Sequence, residues 1–290
     1  MSWKLRQFVT VCLITLFAIM AWSLFFYAPK TESSSLPPRN FTPRNATYFV
    51  APLPPKVIAQ NVQLPVISDY CLTVPVLFYH HVQPNDIAVQ KNQTSLNVDS
   101  GIFDQQMAYL SGSGYNSISA DQLISAIKNH SGLPPKTVVI TFDDGYMDNY
   151  TYAYPVLQKY HLVGNIMVIT GLLENSDMLG WAQLKDMVGS GTFNAYDHTW
   201  SHASLAGLAE DKVQSEIMTA KSQLESNLGK SVDIFTYPYG SENGEVQSLL
   251  SQDGFVGAFS TIGGTTQCES FIMSLHRTRI GNSSLSSYGI

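Results

Sequence analysis

The sequence is poor in charged residues, in basic residues above all, and in cysteine. Among its 290 residues 13% are charged, and 16 lysines and arginines stand against 22 aspartates and glutamates. The net charge of -6 argues against nucleic acid as the main partner, because phosphate binding requires a clustered positive face and the sequence contains none. Three cysteines are too few for a disulfide scaffold or a four-cysteine zinc site.

Apolar residues, in contrast, are plentiful. Hydrophobic residues make up 44% of the chain and aromatic residues 11%. This composition lies far from that of disordered chains, which are polar and highly charged, and it suffices for one large core. We therefore expect a folded protein, whose length permits one or two domains.

Residues 8–27 form a long apolar stretch without a charge. A helix needs about 20 apolar residues to cross about 30 Å of hydrocarbon, so residues 1–28 are predicted to be a cytoplasmic stub and a transmembrane anchor. Lys4 and Arg6 precede the stretch, which favours a cytoplasmic N-terminus and a single-pass protein with its domain outside the cytoplasm. The alternative is a cleaved signal peptide, which would make the protein secreted.

The composition changes again after the apolar stretch. Residues 29–70 are rich in proline and serine, and proline fixes φ and cannot donate to a strand ladder. We expect a stiff extracytoplasmic linker there, which leaves residues 71–290 as the functional domain. An oxidising compartment permits a disulfide between Cys71 and Cys268, and the sequence leaves open whether they come close enough to bond.

Strand and helix patterns alternate within this domain. Residues 73–79, 137–142 and 231–237 are predicted to be strands, and residues 120–129 and 209–228 amphipathic helices. Such alternation indicates the α/β class with mainly parallel strands. Polar residues cluster just after the strand ends, where α/β folds hold their sites.

Two adjacent carboxylates, Asp143 and Asp144, follow the predicted strand at 137–142. Because side chains alternate along a strand, both can serve one site only where the strand breaks, and Gly145 allows that break. Carboxylates this close repel each other unless a cation or a shared proton relieves them. Taken alone, Asp-Asp-Gly is more often a plain turn, and a site is the alternative that the pair of carboxylates suggests.

His198 and His202 lie four residues apart. On a helix this spacing is one turn, so both imidazoles can face one ion. With one carboxylate they make three ligands and leave a position open for water, as in catalytic zinc sites, and the second carboxylate is free to act as base. Two ordinary histidines without a shared ligand are the alternative.

Three ordered segments, at residues 141–146, 198–202 and 235–240, resemble motifs of the polysaccharide deacetylases of carbohydrate esterase family 4, which share the nodulation-factor deacetylase homology domain. The opening at 74–81 is most similar to the branch that deacetylates poly-β-1,6-N-acetylglucosamine. The resemblance implies a distorted (β/α) barrel with its site at the carboxyl ends of the strands. It also implies metal-dependent removal of acetyl groups from N-acetylglucosamine units of an extracellular or cell-wall polysaccharide.

The resemblance implies a role for each matching residue. Asp143 would be the general base, and Asp144, His198 and His202 would hold a divalent metal, most often zinc. The backbone amide of Tyr239 would help to bind the oxyanion, as a donor placed where charge develops.

Two roles remain with alternatives. Many relatives begin the third motif with an arginine that orients the base; Phe235 occupies that region here, so Arg277 or Arg279 could substitute. The general acid is expected to be His80, as in the permuted branch of the family, and His276 is retained as the alternative because a late Leu-x-His carries the acid in many other members.

Aromatic residues near the motifs are candidates for contact with sugar. Trp181 precedes the second motif, Trp200 lies within it, and Tyr237 lies in the third. Indole faces stack well on sugar rings, although a core position is the alternative for each tryptophan.

Other functions remain open at this point. The same family chemistry could act on peptidoglycan, chitin oligomers or acetylated xylan. A glycan-binding surface protein without catalysis is the alternative from another class, but such a protein has no need for a base beside an open metal site.

Overall fold

The computed structural model describes residues 69–290. The predicted transmembrane segment at 8–27 and nearly all of the predicted linker lie outside the described residues. Within residues 69–290, no helix combines the length and the hydropathy that crossing a membrane would require. The described residues correspond to the predicted functional domain.

Short strands and helices alternate through most of this domain. The strands are β1 Cys71–Thr73, β2 Val76–Tyr79, β3 His81–Val82, β4 Asn97–Val98, β5 Asn116–Ile118, β6 Thr137–Phe142, β7 Gly164–Val168, β8 Phe193–Asp197, β9 Ile234–Thr236, β10 Gly257–Phe259, β11 Thr266–Cys268 and β12 Thr278–Arg279. The α-helices are α1 Asn85–Gln90, α2 Ser100–Gly112, α3 Ala120–Lys128, α4 Tyr154–Tyr160, α5 Trp181–Gly189, α6 Glu210–Leu228 and α7 Gly244–Gln252.

The main sheet is parallel and has eight strands. Its order is β10-β9-β8-β7-β6-β2-β12, with β5 paired to β6. Because β5 pairs with the first half of β6 and β7 with the second half, these two strands share one edge of β6. The buried carboxamide of Asn165 fills their junction and donates to the carbonyls of Ile118 and Ile140.

The segment after β11 connects the two ends of this sheet. Leu275 bridges Phe259 in β10, and β12 then pairs with β2 on the other side. The parallel sheet is therefore curled into a half-barrel, consistent with the distorted (β/α) barrel that the resemblance implied. Its parallel strands alternate with helices, which confirms the predicted α/β class. The same segment carries Arg277 into the interior, where this residue is 1% exposed.

The two faces of the curled sheet contribute to different parts of the core. Every residue of β2, β6 and β7 is buried, as expected for strands covered on both faces. Val76, Val139 and Met167 pack with one another and with α3. Leu77 and Ile140, the next residues along their strands, belong to the larger cluster that includes α2, α4 and α5.

The predicted helices correspond closely to observed ones. Leu123, Ile124 and Ile127 form the buried face of α3, and Ser119 begins this helix with a capping box. The helix α6 ends at Leu228, as predicted, and Gly229 forms its C-cap in the left-handed conformation with φ of 67°.

The ends of the domain are held together by a small antiparallel sheet. In the pairing of β1 with β11, Cys71 lies directly opposite Cys268. Their Cα atoms are 4.1 Å apart and the sulfur atoms are bonded, which resolves the question that the sequence left open. This disulfide joins residues 197 positions apart in the chain.

Candidate active site

Polar side chains from several parts of the chain meet where the parallel strands end. They line a cavity of about 600 Å³ at this edge of the curled sheet. The lining residues are Phe78, His80, Leu96, Asp143, Asp144, Tyr146, His198, His202, Tyr237, Tyr239, Thr261 and Arg279. The cavity therefore contains members of all three motifs and of the opening segment, as the sequence predicted for a site at the carboxyl ends of the strands.

Asp144, His198 and His202 form a cluster at one wall of this cavity. The Oδ1 atom of Asp144 lies 3.4 Å from Nε2 of His198 and 3.3 Å from Nε2 of His202. This carboxylate oxygen is buried and has no hydrogen-bond partner among the described residues. A buried oxygen without a partner is costly, so the cluster is suited to a cation that would satisfy it.

The protonation of these side chains also fits a metal. His198 donates from Nδ1 to the carbonyl of Thr236 at 2.7 Å, which leaves Nε2 as the atom that can bind an ion. Burial and the neighbouring His198 lower the pKa of His202, which favours the neutral imidazole that ligation requires. Burial alone would raise the pKa of Asp144, but the nearby imidazoles, that of His198 above all, lower it overall.

The two histidines do not come together through a helical turn, so that prediction is wrong. Residues 198–202 follow β8 as irregular chain, in which Thr199 and His202 have φ of 66° and 64°. The carboxylate of Asp197 accepts a hydrogen bond from the amide of Thr199 at 2.7 Å and fixes the start of this turn. Two left-handed residues, and not the helical period, therefore bring both imidazoles to Asp144.

Asp143 has a different partner from its neighbour Asp144. The guanidinium of Arg277 donates to both of its carboxylate oxygens, at 2.7 and 2.8 Å. Arg277 is held in turn by the carbonyl of Ser260 at 2.8 Å and by the ring of Phe78, whose centroid is 4.4 Å from the guanidinium carbon. Burial alone would raise the pKa of Asp143, but the charge and hydrogen bonds of Arg277 outweigh it and lower the value.

The structure thus distinguishes the two candidate arginines. Arg277 contacts Asp143, whereas Arg279 is exposed, lines the cavity and donates to the carbonyl of Ser95 at 2.7 Å. The bidentate geometry of Arg277 is the kind that fixes a carboxylate in one orientation.

The two candidate acids also occupy different places. His80 follows β2 and lines the cavity. His276 is not among the lining residues; its ring stacks on Phe271, with centroids 4.6 Å apart, and packs against Gly264. Burial lowers the pKa of His80, and the charges of Asp143 and Asp144 offset this effect only in part.

The third motif supplies two tyrosines with different environments. Tyr239 is 69% exposed and has φ of 60°, and its ring lies against His202 with centroids 4.4 Å apart. Tyr237 is buried, and its hydroxyl donates to the carbonyl of Met273 at 2.8 Å. Of the two side chains, that of Tyr239 is the one accessible to a large ligand.

The two tryptophans do not line the cavity. Trp181 is half-buried at the start of α5 and packs against the core, which agrees with the core position that was the alternative to contact with sugar. Trp200 is 44% exposed and lies beside Gly171, where the indole leaves no space for a Cβ atom.

Four lining residues were not among the predicted site residues: Phe78, Leu96, Tyr146 and Thr261. Tyr146 had a signal, because it directly follows Asp143-Asp144-Gly145 in the first motif. Leu96 and Thr261 lie in connections far from the motifs, so no local pattern marks them.

Comparison with known proteins agrees with this geometry. The family model for polysaccharide deacetylase matches residues 130–258. The Bacillus subtilis protein YxkH, whose name describes a polysaccharide deacetylase, is 30% identical over 207 residues that cover 71% of each chain. Poly-β-1,6-N-acetyl-D-glucosamine N-deacetylases of Escherichia coli K12 and Staphylococcus aureus MSSA476 are 24% and 25% identical, and the matches cover 62% and 59% of this chain and 33% and 63% of those enzymes.

Solved structures show the same fold. The Streptococcus pyogenes deacetylase PplD, in complex with acetate, superposes with a TM-score of 0.68 at 29% identity, over 75% of this chain and 96% of that one. The structure of IcaB from Ammonifex degensii gives a TM-score of 0.62 at 26% identity, over 72% and 91% of the two chains. This chain therefore belongs to the polysaccharide deacetylase family, whose members are hydrolases that act on amide bonds.

Proposed function

We propose that this protein is a metal-dependent N-deacetylase of an extracellular polysaccharide, with poly-β-1,6-N-acetylglucosamine as the favoured substrate. The observation that carries the proposal is the pair of unlike carboxylates in one cavity: Asp143 is bound by Arg277, and Asp144 faces two imidazoles. Relatives named as poly-β-1,6-N-acetyl-D-glucosamine N-deacetylases support the choice of polymer.

Asp144, His198 and His202 would hold the divalent ion. When bound, an ion of this kind, with zinc favoured for a set of two nitrogens and one oxygen, supplies Lewis acidity to the cavity. The three side chains fit because they come from two strand ends that are fixed by the sheet, with His198 oriented by its bond to Thr236.

Asp143 would act as the general base and accept the proton of the attacking water. The lowered pKa keeps its carboxylate ionised at neutral pH. Arg277 contributes by orientation, since both oxygens are held and the carboxylate cannot rotate freely.

His80 and Tyr239 would act on the amide of the substrate. Protonation of the departing amine is assigned to His80, which lines the cavity. The backbone amide of Tyr239 would donate to the oxygen that becomes negative when water attacks the carbonyl carbon. Loss of the acetyl group leaves a free amine on the sugar, so the polymer gains positive charge.

The decisive experiment is acetate release from a panel of acetylated glycans: poly-β-1,6-N-acetylglucosamine, chitin oligomers, peptidoglycan and acetylated xylan. We expect the highest kcat/KM on the first, loss of activity with chelator, and recovery on addition of zinc. Asp143→Asn serves as the control for contaminating enzymes. Equal activity with and without chelator would contradict metal dependence, and preference for another glycan would reassign the substrate.

The cellular placement belongs to the same proposal. The uncharged segment at 8–27 would anchor the protein and residues 29–70 would extend the domain from the membrane. We expect the full-length chain to fractionate with membranes, and a variant that lacks residues 1–28 to remain active in the soluble fraction. Full-length expression that gives active protein only in the medium would instead show cleavage of the segment.

A further inference from the structure

A second histidine lies directly after His80 and has no part in the proposed chemistry. His81 is 3% exposed and is not among the residues that line the cavity. Its Nδ1 donates to Oδ2 of Asp148 at 2.5 Å. The other oxygen of Asp148 accepts hydrogen bonds from the amide of Val82 and from Nδ2 of Asn149, both at 3.0 Å. Both carboxylate oxygens are therefore committed to holding neighbouring groups.

The chain around Asp148 has an unusual conformation. Residues Asn149–Ala153 form a π-helix, which is rare and occurs often at functional sites. Asn149, at its start, is fully buried and donates from Nδ2 to the carbonyl of His80 at 2.8 Å. The segment that follows the first motif thus binds residues 80–82, directly after β2, through the side chains of two adjacent residues.

His81 also contacts the wall of the cavity. Its ring lies flat on that of Tyr146, with centroids 3.6 Å apart and an interplanar angle of 24°. Tyr146 lines the cavity two residues after Asp144. Asp148 is therefore linked to both cavity residues through one intermediate side chain. Asn149 bonds to Asp148 and to the carbonyl of His80. His81 bonds to Asp148 and stacks on Tyr146.

We propose that Asp148 is a positioning residue that sets the place of His80, and through His81 that of Tyr146, at the cavity wall. The inference rests on the proposed function, in which His80 is the acid. A hydrogen-bonded pair kept for stability alone would not need to engage both His80 and Tyr146.

The test uses Asp148→Asn, which keeps the shape of the side chain and loses its charge. We expect kcat of acetate release to fall on the order of 10- to 100-fold, because a small displacement of a catalytic group has effects of this size. Metal content should stay close to that of the parent protein, and Tm should fall because the amide places a donor against groups that now donate to Asp148, so kcat is compared per folded molecule. Glu269→Gln is the matched control, since Glu269 pairs at 2.8 Å with the exposed His130 and this variant should leave kcat unchanged.

A double-mutant cycle identifies the route of the effect. If Asp148 acts through His80, Asp148→Asn should have almost no further effect in the His80→Ala background. The same fold-loss in both backgrounds would overturn the proposed action of Asp148 on His80. So would a lower Tm with unchanged kcat per folded molecule.

A spectroscopic measurement separates this proposal from the assignment of His80 as the acid. In the ¹⁵N-histidine NMR spectrum, Asp148→Asn should shift or broaden the imidazole signals of His80, whether or not His80→Ala loses activity. Unchanged His80 signals would overturn the positioning role. Full activity in His80→Ala would instead remove only the proposed acid. If Asp148→Asn does not fold, His81→Phe replaces it, because the phenyl ring keeps the stack on Tyr146 and loses the bond to Asp148.

Discussion

The two halves of the cavity contain the same residue type in opposite situations. On one side both oxygens of Asp143 are bound by Arg277, so this carboxylate needs no further partner. On the other side Oδ1 of Asp144 is buried, without a hydrogen-bond partner among the described residues, and faces two imidazole nitrogens. The first half is complete as it stands, and the second half is suited to an added cation.

The backbone explains how adjacent residues reach such different environments. The amide of Asp143 still donates to the carbonyl of Tyr79 at 2.9 Å and so continues the pairing of β6 with β2. Asp144 has φ of 75° and leaves the strand, which turns its side chain toward β8. The proposed base and the proposed ligand therefore point to different partners because the strand ends between these two residues.

The largest expected effect comes from removal of a proposed ligand. Either Asp144→Ala or His202→Ala should lose bound metal and acetate release together, because three protein ligands become two. Metal analysis and kinetics on the same preparation test this expectation. Stoichiometric metal in both variants would show that the half of the cavity with the unpaired oxygen is not a metal site.

Asp143→Asn should separate the two halves, with a smaller effect. The amide retains the size of the carboxylate but cannot accept a proton, so activity should fall by a factor of roughly 100 to 10,000, the usual contribution of general base catalysis. Bound metal should remain at the level of the parent protein. If metal is lost with Asp143→Asn, this carboxylate is itself a ligand and the two halves are one site.

The sequence predicted those parts of the site that have local causes. The β-branched run at 137–142 is the buried strand β6, and the break that was assigned to Gly145 is present, with φ of 85°. His198 and His202 do meet at Asp144, but for a different reason from the predicted helical turn. Left-handed φ at a non-glycine residue has no reliable mark in a sequence, so the actual turn could not be foreseen.

The partner of Asp143 lacked a local signal altogether. Arg277 is 134 positions further along the chain, and the choice between it and Arg279 depends on how the curled sheet brings its last segment beside β2. Residues two apart in a strand share a face, yet Arg277 precedes β12 and turns inward while Arg279 lies in β12 and is exposed. The pairing of Arg277 with Asp143 therefore depends on the tertiary topology, which no short sequence pattern contains.

Arg277→Gln tests the half of the cavity in which Asp143 is bound by Arg277. We expect the smallest effect on activity here, a decrease on the order of 10-fold to 100-fold near the pH optimum, because the carboxylate of Asp143 loses its fixed orientation. The sharper readout is the acidic limb of the pH profile. The guanidinium lowers the pKa of Asp143, so its removal raises that pKa, and the carboxylate becomes protonated and inactive at a higher pH.

The limb should therefore move to higher pH in Arg277→Gln, as measured by kcat/KM for acetate release on protein shown to be folded by circular dichroism. Stability should also fall, by about 3–5 kcal/mol, because the buried carboxylate loses its partner. Arg279→Gln is the matched control: the same charge is removed at the cavity, two positions away, from a residue that bonds to Ser95 and not to Asp143. If the acidic limb stays in place with Arg277→Gln, the bidentate pair does not set the pKa of Asp143. If the limb moves equally with Arg279→Gln, the summed positive charge near the cavity sets this pKa, and not the bidentate pair.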